Sequence, residues 1–161
     1  MWRATSGLAL ALVSVAACAT APSGSAPVLA PAVGAPRELP PQILAQGDCA
    51  SFFWTADAEH RFLVFEHETG GFARLVVDGA EHRLLVPPRE AAHVTGDPFR
   101  RVYSDPERQV DVRLSGIVGD PLPEGRRMER VVMRVSRPDS STLVIPMIGH
   151  YACRPAVPGA Q

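Results

Sequence analysis

The chain has 161 residues, with 17 acidic and 16 basic side chains and a net charge of −1. That length suits a single domain, and a near-neutral balance lacks the positive excess on which nucleic-acid binding depends. Every basic side chain is an arginine, so Schiff-base chemistry, a phosphate-loop lysine and a Ser-Lys dyad are all excluded.

Arg3 precedes an apolar run from Gly7 to Ala17. A bilayer span needs roughly 20 residues. The shorter run reads as a secretory signal peptide covering residues 1–17. It closes on Val15-Ala16-Ala17-Cys18, which resembles the lipobox of bacterial lipoproteins: an aliphatic residue, two small residues, then the cysteine that takes the lipid. The resemblance implies cleavage before Cys18 and acylation of Cys18. With Ala rather than Asp at position 19, it also implies transfer to the outer membrane, on its periplasmic side. Ordinary cleavage at Ala17-Cys18-Ala19 would instead release a soluble periplasmic or secreted protein. Several acyl chains hold a protein where one holds weakly, since each buried CH₂ contributes about 0.8 kcal/mol.

Residues 18–46 read as the lipidated cysteine followed by a tether. Pro22, Pro27, Pro31, Pro36, Pro40 and Pro41 alternate there with Ala, Gly and Ser. Such a segment has too little apolar side-chain area to offset its ordering entropy. A β domain is expected over 47–155 and a flexible tail over 156–161. With Cys18 given to lipid by the resemblance, Cys49 and Cys153 remain in an oxidising compartment and suffice for one bridge. It would join the first and last strands, and closing a loop of about 100 residues stabilises by roughly 4–5 kcal/mol in the chain-entropy model.

Between those cysteines the pattern is short apolar or alternating runs separated by turn residues, the signature of antiparallel β structure. Strands are predicted at 50–55, 61–66, 72–77, 81–86, 99–104, 108–115, 128–136 and 142–148, the last continuing toward Cys153. Phe62-Leu63-Val64-Phe65 is apolar on both faces, so its strand should be central. Asp78-Gly79 is a hairpin signal, because both residues tolerate positive φ. A two-residue loop there sets Arg74 opposite Arg83, which is unfavourable; a three-residue loop would change the register. Pro146 marks an edge or a bulge. Ala58-Glu59-His60-Arg61-Phe62-Leu63-Val64 recurs as Ala80-Glu81-His82-Arg83-Leu84-Leu85-Val86, which suggests repeated hairpins with His60 and His82 at equivalent strand entrances. The expected fold is all-β: a small antiparallel meander of about eight strands, closed or nearly closed into a barrel, with a two-sheet sandwich as the alternative. An eight-stranded barrel of such short strands is filled by its own side chains, leaving no large cavity.

No spacing among the five histidines matches a metal site, and no G-x-S-x-G or other nucleophile motif is present. Neither a metal nor a cofactor is expected, and the chain does not read as an enzyme. Phe52-Phe53-Trp54 puts aromatics on both strand faces, one of which suits a contact surface. Two stretches exceed hairpin length, 87–98 and 116–127, and function tends to sit in such loops. Candidate partner-binding residues are Arg89, His93, Asp97, Arg100, Arg101, Arg126 and Arg127. If adjacent, the two arginine pairs could grip a carboxylate or phosphate bidentately. In layout the chain also resembles the membrane-bound C-type lysozyme inhibitors: lipobox, small β domain, one disulfide, and a Tyr-x-Cys at Tyr151-Ala152-Cys153. That family's Ser-Gly-x-x-Tyr loop and its functional lysine have no counterpart here. The resemblance carries over a fold and no inhibitory residue. The expected function is a non-catalytic envelope lipoprotein, a binding or structural module whose partner is an envelope protein or cell-wall component. The alternatives are a lysozyme-inhibitor-like protein and a metal or small-ligand carrier.

Overall fold

The computed structural model describes residues 37–87 and 93–156. The signal segment, Cys18, Arg89 and the last five residues lie outside that range. Eight strands form: β1 Cys49–Thr55, β2 Phe62–His67, β3 Phe72–Val77, β4 Ala80–Leu85, β5 Pro98–Asp105, β6 Val110–Leu122, β7 Gly125–Ser136 and β8 Thr142–Cys153. They belong to one antiparallel sheet in the order β4-β3-β2-β1-β8-β7-β6-β5, curled into a half-barrel. The two-sheet alternative does not apply. β4 and β5 are the two ends of the sheet, and the curl stops short of joining them. β1 lies against β8 with Cys49 opposite Cys153, and the two are disulfide-bonded at a Cα separation of 4.0 Å.

Alternation along each strand decides which side chains enter the concave side. Phe53, Val64, Leu75, Val112, Leu114, Met133 and Met147 do so and are buried. β2 is buried at five consecutive residues, because its convex side is covered as well. There Phe52, Trp54 and Phe62 stack, with ring centroids 5.2–6.1 Å apart. Leu39, within the stretch read as tether, is buried, and its N–H donates to the Phe62 carbonyl at 2.7 Å.

The Asp78-Gly79 hairpin has a two-residue loop, with φ of 47° and 79° and Val77 opposite Ala80. Arg74 therefore does face Arg83. The repulsion is relieved sideways: Arg74 Nε donates to Glu81 Oε1 at 2.7 Å, while the Arg83 guanidinium lies 4.3 Å from the centre of the Phe72 ring. Pro146 sits where β8 outruns β1, and its carbonyl accepts from Ala56 N–H at 2.9 Å. Its missing donor lies on that same side, beside Ala56 and one residue past the end of β1.

Three expectations fail. The stretch 116–127 is not a long loop; β6 and β7 run through it and turn at Pro123-Glu124. The two Ala-Glu-His-Arg copies do not take equivalent structure. Ala80–Arg83 is strand, whereas His60 sits in a turn at φ 47°. That turn is held by Asp57 Oδ1, which accepts from Thr55 Oγ1, Glu59 N–H and His60 N–H. Nor do side chains fill the concave side throughout. At the end bearing the 78–79 turn, Leu63, Val77, Met133, Val135, Leu143 and Ile145 line an open cavity of about 560 Å³. An unclosed sheet with strands of 12 and 13 residues cannot fill its own mouth.

Candidate functional site

At the disulfide end of the half-barrel the concave side is charged. Glu66 is in phase with Val64 on β2, and Arg101 is in phase with Phe99 and Tyr103 on β5, so strand geometry carries all of them inward. Tyr103 Oη donates to Glu66 Oε2 at 2.5 Å, and Arg101 Nε lies 3.4 Å from the same oxygen. Glu68, in the turn after β2, accepts from Ser51 Oγ at 2.9 Å. Its Oε1 lies 3.3 Å from His93 Nε2 and 3.8 Å from Arg101 Nη2. The His93 ring packs 4.0 Å from that of Tyr151. The Tyr151 hydroxyl is 3.2 Å from Cys153 Sγ; the bridged sulfur carries no proton, so the hydroxyl is the donor. Burial pushes the Glu68 carboxyl up, but His93, Ser51 and Arg101 outweigh it and hold the group below its ordinary value. Burial and the nearby Glu68 charge raise the Tyr151 phenol. Buried charges persist when paired and hydrogen-bonded, and these are spent on one another. The network ties His93, at the start of the 93–97 segment, to the sheet.

The structure scatters the residues singled out from sequence. His93 and Arg101 are interior and engaged with Glu66 and Glu68. Arg100 is exposed on the opposite face of β5, because adjacent residues of a strand point to opposite sides. Arg126 Nη1 donates to Thr95 Oγ1 at 2.9 Å at the mouth, while Arg127 lies in a cleft on the outer face. The two arginine pairs therefore form no joint anion grip. Asp97 is exposed, and its carbonyl accepts from Val118 N–H at 2.9 Å. Arg89 lies outside the described residues. Among those described, no three His, Cys, Asp or Glu side chains converge to hold a metal.

The outer cleft is a site that the sequence reading missed. Trp54, Leu122, Arg127, Arg130, Ile148 and His150 line about 620 Å³ on the convex side of β1, β8 and β7. A β-bulge shapes it. Met128 faces Gly149 and Val131 faces Met147, so two β7 residues oppose one of β8. Arg130, the extra residue, takes φ 49° and is turned outward and exposed. The signal was present in the sequence, since the inward residues run Met128, Val131, Met133, Val135, with one interval of three among intervals of two. Gly149 lets the sheet close behind the cleft; a Cβ there would come within 2.7 Å of Phe53 and Met128. Glu129 also lines the cleft, packed toward Gly119. Arg127 and Arg130 form no ion pair with any described residue. No known family, curated protein or solved structure matches this chain.

Proposed function

We propose that this chain is a non-catalytic envelope lipoprotein, anchored through Cys18 on the periplasmic side of the outer membrane, whose half-barrel binds another envelope component. The outer cleft carries the reading: two arginines with no carboxylate partner among the described residues stand beside a tryptophan wall on the convex side of a disulfide-clasped sheet. Tryptophan and arginine dominate binding hot spots, and the interior charges that could serve chemistry are consumed by pairing. Contact is assigned to the sheet face, to which the 116–127 segment contributes Leu122 and Arg127 as part of a hairpin rather than as a loop. The anchor is tested by Cys18→Ala, which should move the protein from the membrane to the soluble fraction; retention on the membrane rejects it. The binding face is tested by a photo-crosslinking residue in place of Ile148 and, as control, of Asp97. Crosslinking in native envelopes from Ile148 alone is expected, and crosslinking from Asp97 alone rejects the face.

A second reading, a small-ligand carrier, has its own support in the open cavity of about 560 Å³ at the far end, where an apolar floor is rimmed by Arg37, Glu59, Arg61 and Asp78, a size ordinary for ligand pockets. Native mass spectrometry of the protein as purified should then show a bound apolar molecule, displaced by Ile145→Trp. A single unliganded mass rejects it.

A further inference from the structure

We propose that the outer face of β7 and β8 docks an acidic protein segment that carries an apolar anchor, a claim that rests on the binding-module reading above. β8 turns Val144, Pro146 and Ile148 outward. Val144 is 52 % and Ile148 46 % exposed, and Pro146 is exposed between them. The inward partners of this stripe, Ile145, Met147 and Gly149, face the core. Beside the stripe, β7 presents Arg134, Arg130 and Arg127, none of which forms an ion pair with a described residue. Arg113, across from Arg134 on β6, is already engaged with Asp111 at 3.5 Å. The one carboxylate in the cleft is Glu129. An apolar stripe flanked by three guanidiniums without an ion pair among the described residues is complementary to a chain that alternates apolar and acidic side chains.

The occupant is a polypeptide segment by reason of extent and position. From Val144 to His150 the stripe runs roughly 20 Å at strand spacing, longer than a compact small molecule. β7 and β8 are paired on both sides, so the partner cannot add a strand and must be read through its side chains. The bulge places Arg130 at the centre of the row in a left-handed conformation that a non-glycine residue adopts at a cost, and the guanidinium it presents there is what offsets that cost in function.

The test is selection from a random peptide display library on the full-length, disulfide-intact chain, followed by binding of the enriched peptides to three variants. Arg127→Gln with Arg130→Gly removes two charges and relieves the strained backbone, so the fold is retained. Ile148→Ser alters an exposed side chain. Ser115→Ala on β6 is the control. Enriched peptides should carry Asp or Glu beside Leu, Ile, Phe or Trp. Their binding should weaken with salt and fall at least about tenfold in the double variant and in Ile148→Ser. Peptides without acidic residues that still depend on Ile148 overturn the acidic chemistry and leave the face standing. No enrichment together with no retention on vesicles of anionic phospholipid, or peptides indifferent to all variants, sinks both the proposal and the reading beneath it. Arginine-dependent retention on vesicles of anionic phospholipid, with no peptide enrichment, overturns a protein partner in favour of the membrane surface.

Discussion

Arg130 holds φ 49° in the middle of a strand, a conformation that costs a non-glycine residue of order 1–3 kcal/mol. Arg130→Gly is therefore expected to raise stability by up to about 1 kcal/mol, the relief of strain exceeding glycine's extra freedom in the unfolded chain. A lower urea midpoint would contradict it. Tyr103→Phe does the reverse: it strips the hydroxyl from buried Glu66 and should cost about 1–3 kcal/mol in the same measurement. Glu68 supplies a pH dependence whose sign is fixed. Its folded carboxyl titrates below the ordinary 4.5 because His93, Ser51 and Arg101 outweigh its burial. The stability it contributes is complete above the unfolded value and is lost as pH falls through the lower, folded one. Glu68→Gln should flatten that part of the acid limb, read as urea midpoints taken downward from about pH 6; an unchanged slope would remove Glu68 from the acid response.

The strands were legible because alternation and turn chemistry are local. Val131, Met133 and Val135 announce β7, and Asp78-Gly79 announces its hairpin, though the Arg74–Arg83 pairing left its register open until the structure set Val77 opposite Ala80. What sequence reading missed came from counting side chains without phasing them. Arg100 and Arg101 look like one basic spot, yet a period of two sends one to solvent and the other to Glu66. The same phase identifies Glu66 as an inward carboxylate following Val64. The β6–β7 hairpin was hidden by Gly116, Gly119, Pro121, Pro123 and Gly125, which resemble a loop. Gly116 is there because the Phe99 ring occupies the place of its side chain, 2.8 Å from where a Cβ would stand. Gly149 answers the same demand on β8. Gly149→Ala should press on Phe53 and Met128 and cost about 1–3 kcal/mol by thermal unfolding. A neutral result would mean those side chains can move aside.

At the scale of the whole molecule, fold class, strand number and the pairing of Cys49 with Cys153 could all be anticipated. The open seam could not, since closure depends on how β4 and β5 meet across the barrel, and neither strand's own sequence encodes that. The clasp spans 104 residues, and its reduction is expected to lower stability by as much as about 4–5 kcal/mol in the chain-entropy model. Denaturant midpoints with and without reductant measure this, and coincident curves would contradict it. The clasp also has a mechanical consequence. Cys49 opens the first strand and Cys153 closes the last, so tension applied between the chain ahead of Arg37 and the chain beyond Pro155 passes through one covalent bond and bypasses the sheet. Such a pull strips away Leu39 and its neighbours, then stops, leaving all eight strands unloaded. A domain strung between an anchor and a moving partner could stretch its leader without unravelling its body.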